Sequence, residues 1–128
     1  MRILSPADLD AIPRRGWVRE APPVTSLPSL ASSIGLDYFG VKRDDAIDEL
    51  HGGTKARKLD YLLAAPPFSE SERWLSTGGV GSGSLVALTA AATKLERRLD
   101  AFMFWTAPSD EILENLGFVA SGPARIHF

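Results

Sequence analysis

The stretch LHGGTKARKLDYLL, residues 50–63, decides how this chain is read. Gly52 and Gly53 close a loop and Thr54 offers an N-cap hydroxyl, so the spacing predicts a helix from there. Leu59, Leu62 and Leu63 recur at i, i+3 and i+4 and give that helix one apolar stripe. Pro66 and Pro67 stop it. Lys55, Arg57 and Lys58 then crowd the first turn, where the helix macrodipole is partly positive and acids are the usual residues. An ammonium group is disfavoured there, and Arg57 and Lys58 add like charge. The form of Lys55 favoured by such surroundings is the neutral amine, which attacks aldehydes. The ordinary alternative is a solvated surface lysine.

Downstream of this helix, Arg73 to Thr77 reads as a strand, STGGVGSGS (76–84) as a glycine turn and LVALTAAATKLERRL (85–99) as a helix. AFMFWT (101–106) is a wholly apolar strand of the kind buried on both faces. PSDEILENLGF (108–118) is a helix with Ser109 as N-cap and Asp110 and Glu111 in its first turn. ARIHF ends the chain as a strand. Upstream, Tyr38 to Lys42 reads as a strand, and the segment before Gly35 as a short helix. Pro6, Pro13, Pro22, Pro23 and Pro28 make residues 1–28 an extended arm, leaving 29–128 as an α/β domain. The alternating order predicts a mostly parallel sheet with flanking helices.

Bulk properties narrow the function classes. The 128 residues fit one domain, with 45% hydrophobic and 23% charged residues. A net charge of −2 leaves no basic excess for nucleic acid or an anionic membrane. No apolar run is long enough to span a bilayer, and Asp8 and Asp10 interrupt any signal-peptide core. With no cysteine, and with His51 and His127 far apart, neither a disulfide scaffold nor a zinc site is expected. A cytoplasmic location is the expectation.

Gly78, Gly79, Gly81 and Gly83 fall between a strand and a helix. Such a turn brings backbone N–H groups close to a phosphate or carboxylate. The dinucleotide fingerprint fails at Ser84, the P-loop pattern is missing, and Ser82 does not sit in a nucleophile elbow. The alternative is a tight βα connection with no ligand.

VKRDD (41–45) followed by GGTKARKLDYLL (52–63) resembles the KRDD…GGNKxRKLE signature of fold-type II pyridoxal-phosphate (PLP) enzymes. The branch is that of 1-aminocyclopropane-1-carboxylate (ACC) deaminase and D-cysteine desulfhydrase. STGGVGSGS lies where that family has GGVQSNH, and LPSLASSIGLDYFGVKRDD is similar to its lead-in. The resemblance covers Val24 to about Trp105, and more loosely the segment from Glu114. It implies the N-terminal portion of the tryptophan synthase β-like fold. It implies that Lys55 forms a Schiff base with PLP, with Thr54 and Gly83 beside the cofactor. It also implies that Gly79, Gly81, Ser82, Gly83 and Ser84 receive a substrate carboxylate, Ser82 doubling as a proton carrier. Thr54 stands where the family has asparagine, and Gly83 and Ser84 where it has asparagine and histidine.

The family's later portion, with the glycine-rich phosphate cup, has no counterpart in these residues. The expectation is therefore part of a PLP-dependent deaminase or desulfhydrase acting on a small amino acid. A homo- or hetero-oligomer is expected, in which a second chain can supply the missing half. Two other readings stay open: a non-catalytic relative serving as a binding or regulatory partner, and an unrelated α/β anion-binding domain.

Overall fold

The computed structural model describes residues 5–128. The expected arm is only partly extended, and residues 1–4 of it lie outside the described residues. A short helix, α1 (Pro6–Asp10), opens with a reciprocal cap. Ser5 N–H donates to the Asp8 carboxylate at 2.8 Å, and Asp8 N–H donates back to Ser5 Oγ at 3.2 Å. The chain then lies against the body of the protein. Trp17 N–H donates to Asp60 Oδ1 at 2.9 Å, and the Arg15 guanidinium donates to the Leu63 carbonyl.

β1 (Val24–Ser26) pairs antiparallel with β2 (Gly40–Lys42), and α2 (Pro28–Ser33) links them. This corrects the expected topology, because β2 belongs to a separate two-stranded sheet and not to the parallel one. Two 3₁₀ turns lead to α3 (Gly53–Leu62). β3 (Arg73–Gly79), α4 (Gly83–Lys94), β4 (Arg98–Phe104), α5 (Asp110–Ser121) and β5 (Ala124–His127) follow. The three strands form a parallel sheet in the order β3-β4-β5, with helices packed on it.

Several local expectations change. Gly52, not Thr54, occupies the cap position of α3, and Thr54 lies in the first turn. The buried line of α3 is Ala56, Asp60 and Leu63, while Leu62 is exposed. Asp60 can face inward because it accepts the Trp17 N–H, so the apolar stripe read from the leucines was rotated. α4 stops at Lys94 and not at Leu99. Glu96 adopts φ 53°, and Arg97 N–H closes on the Ala92 carbonyl at 2.8 Å. The freed residues begin β4.

β4 is buried on one face only: Leu99, Ala101 and Met103 point inward while Phe102 and Phe104 are exposed. The inner face packs on α4, whose Ala87, Ala91 and Ala92 allow close approach to Trp74 and Leu99. A second cluster joins Leu85, Val86, Ala101 and Met103 to Val119 of α5. Ser109 caps α5 as expected, accepting the Ile112 N–H at 3.3 Å. Among the described residues no helix is long and apolar enough to cross a membrane.

Across the outer face, Asp100 ties β4 to both neighbours. His127 Nε2 donates to Asp100 Oδ1 at 2.8 Å, and Arg73 Nε lies 3.5 Å from Oδ2. The hydrogen bond from His127, helped by the Arg73 charge, holds the Asp100 carboxyl below its ordinary value, against desolvation acting the other way. A carboxyl lowered in the fold stabilises it above the unfolded pKa, about 4, and loses that contribution as pH falls through the folded value. The urea midpoint should therefore drop as pH goes from 6 to 3. Asp100→Asn should flatten that part of the profile.

Candidate functional site

The carboxyl ends of β3 and β4 carry the glycine turn and the starts of α4 and α5. Right-handed crossovers in a parallel sheet bring helix N-termini to this edge. The turn is pinned from two sides. Val80 N–H donates to the Phe104 carbonyl at 2.9 Å, and Thr106 Oγ1 donates to the Val80 carbonyl at 2.8 Å. Asn115 Nδ2 of α5 donates to the Gly81 carbonyl at 3.0 Å. Gly81 has φ +86°, and a Cβ there would sit 2.8 Å from Ile112 Cα. Ser82 occupies the cap position of α4, yet its hydroxyl makes no capping hydrogen bond. The first N–H groups of the helix, at Gly83 and Ser84, have no intrahelical acceptor and can meet an anion.

The other wall is the start of α3. Leu50, His51, Gly52 and Gly53 all have positive φ, between 53° and 73°. Gly52 is obligatory, since a Cβ would come within 2.8 Å of the Ile47 carbonyl oxygen. This wall is braced by Asp44, whose Oδ2 accepts from Arg57 Nη2 at 2.6 Å. The two halves of the motif, VKRDD and GGTKARK, are thus one ion-paired unit. The pair also corrects the charge reading of α3, because Arg57 is matched by a carboxylate and does not stand as an isolated like charge beside Lys55. Asp44→Asn is expected to lower stability by about 1–2 kcal/mol, between the values for exposed and buried charged pairs. Urea denaturation would measure it.

Between the walls lies an open cleft of about 530 Å³. It brings together Thr54 and Lys55 from α3 with Ser82, Gly83 and Ser84 from α4. Gly79 and Gly81 do not line it; they shape the turn from behind, Gly79 in β3 and Gly81 against Ile112. Three polar lining residues were not among the site residues expected from sequence: His51, Glu111 and Asn115. The i, i+4 spacing of Glu111 and Asn115 places both on one face of α5. His51 sits edge-on to the Phe118 ring of α5, centroids 4.1 Å apart.

The fold and this cleft have known counterparts. A crystal structure of an ACC deaminase homologue matches with a TM-score of 0.78 and 26% identity, over 97% of this chain and 38% of that one. A probable ACC deaminase from Cryptococcus neoformans is 35% identical over 86 residues. The chain is a distant homologue of part of the ACC deaminase and D-cysteine desulfhydrase family. A D-cysteine desulfhydrase from Klebsiella pneumoniae is 30% identical over 92 residues. The matches take in 66% and 72% of this chain, but only 25% and 28% of those two relatives. This homologue therefore spans about a quarter of the length of the curated family members it matches. No family profile matches it.

The family is PLP-dependent. The residues of this homologue suit the reactive half of that cofactor. A primary amine, Lys55, lines a cleft onto which the first turns of α3 and α4 open. At Gly83 a Cβ would meet nothing within 4 Å, so the cleft is unobstructed there.

Proposed function

We propose that this chain is the lysine-bearing portion of a PLP-dependent enzyme that releases ammonia or sulfide from a small amino acid. One observation carries the reading: Lys55 and the Ser82-Gly83-Ser84 turn, distant in sequence, line the same cleft. When bound, PLP supplies an aldehyde for a lysine and an electron sink for charge developing at the substrate's Cα. Lys55 Nζ would hold the cofactor through its aldehyde and would move a proton at the substrate's Cα. The Gly83 and Ser84 N–H groups, with the Ser82 hydroxyl, orient the substrate carboxylate. Asn115 fixes the turn that presents them. The rest of the site comes from further polypeptide, in a homo- or hetero-oligomer.

A second reading, a non-catalytic binding partner, draws on Thr54 and Gly83. Neither offers the side-chain amide the resemblance leads one to expect there. The experiment is a visible spectrum of the purified chain with added PLP. It is recorded alone and together with the portion of the Klebsiella enzyme that follows the aligned residues. A borohydride-bleachable band with turnover of D-cysteine or ACC supports the enzyme. A band without turnover supports the binding partner. No band in either sample overturns the enzyme.

A further inference from the structure

The sheet face turned away from α4 and α5 has no helix on it among the described residues, whereas parallel sheets are covered on both faces. The face has two chemically distinct ends. At the amino ends of the strands, register places Arg73 beside Arg98 and Asp100 beside Arg125. Asp100 is already engaged by His127 and Arg73. Among the described residues Arg98 and Arg125 form no salt bridge. Toward the carboxyl ends the surface turns apolar. Phe102 is 42% exposed and Phe104 59%; beyond the strand ends Trp105 is 73% exposed and Phe128 70%. These rings are already ordered. Phe102 stacks on His127 with centroids 4.4 Å apart, and Trp105 on Phe128 at 4.8 Å. Exposed aromatic rings held in place in this way mark a binding face.

A second copy of the chain is a poor cover. In a two-fold pairing the arginine end meets either itself or the aromatic end, and both arrangements desolvate guanidinium groups with no unengaged acid, since Asp100 is already held by His127 and Arg73. The solved ACC deaminase homologue points elsewhere, because 97% of this chain accounts for only 38% of that one. We propose that this face docks polypeptide homologous to the remaining portion of those enzymes. Contact is made by a helix whose apolar stripe covers Phe102 and Phe104 and whose acidic end meets Arg98 and Arg125. The proposal rests on the partial-enzyme reading above.

The test co-expresses the chain with the portion of the Klebsiella D-cysteine desulfhydrase that follows the aligned residues. Sedimentation should show a one-to-one complex, and acrylamide should quench Trp105 less in it than in the free chain. Substituting Phe102→Ser with Phe104→Ser should weaken the complex about 100-fold, the loss expected from two interface anchors. Both side chains point away from the inner core, so circular dichroism should be unchanged. Arg98→Glu with Arg125→Glu should weaken it about tenfold and reduce its salt dependence. Three outcomes overturn the proposal: no complex, a complex indifferent to all four residues, or a self-dimer that Phe104→Ser dissociates. The PLP spectrum of the same samples separates the two claims. A sensitive complex without the band removes the enzyme and keeps the docking face, and a band in an insensitive complex does the reverse.

Discussion

Lys55→Ala is expected to reduce the borohydride-bleachable absorbance with PLP to background, while Lys58→Ala keeps it. The contrast follows from placement. Lys55 lines the cleft shared with the α4 turn; Lys58 is exposed and does not. Only an amine placed at the cleft can be presented to an aldehyde oriented there, and that orientation is what a solvated lysine lacks. Ser82→Ala should leave the band in place and act on the amino-acid step, raising KM if the hydroxyl only binds carboxylate and lowering kcat if it moves a proton. Equal bands from Lys55→Ala and the unmodified chain would remove Lys55 from the chemistry.

The parts of this picture that sequence carried are those set by short-range rules. The glycine turn after β3 and the capped start of α5 were legible because glycine dihedral freedom and N-cap chemistry act within a few residues. The VKRDD–GGTKARK pair directed attention to Lys55, and the structure joins the two halves through Asp44 and Arg57. What escaped reading depends on distant partners or on conformations the residue type does not announce. Glu96 ends α4 with positive φ where glycine was the expected signal. Asp60 turns inward because Trp17, far upstream, supplies an N–H. The run AFMFWT gave no alternation to read, since apolar residues occupy the exposed face of β4 as well as the buried one. Those same exposed rings form the proposed docking face. The places of His51, Glu111 and Asn115 along the cleft follow from the crossover that folds α5 back beside the glycine turn, a property of topology and not of spacing.

Two alanine substitutions in one turn should move stability in opposite directions and still both damage the site. Gly81→Ala is expected to cost about 2–4 kcal/mol, combining a strained positive φ with overpacking. The contact is with Ile112 Cα, so shortening the Ile112 side chain cannot relieve it. The strain would push α5 away from the turn and stretch the Asn115 bond to the Gly81 carbonyl. Gly83→Ala differs. Its φ is not positive, nothing lies within 4 Å of the new Cβ, and it occupies the first turn of α4. It should be neutral or stabilising by up to about 1 kcal/mol, since alanine loses less entropy on folding. Yet that Cβ would project into the space from which a cofactor or carboxylate meets the Gly83 and Ser84 N–H groups. Urea midpoints should separate the pair by about 2–5 kcal/mol, and a PLP titration should weaken for both. If Gly83→Ala proved stable and bound PLP as well as the unmodified chain, the α4 start would be a connection and nothing more. The cleft would then lose its anion-binding wall.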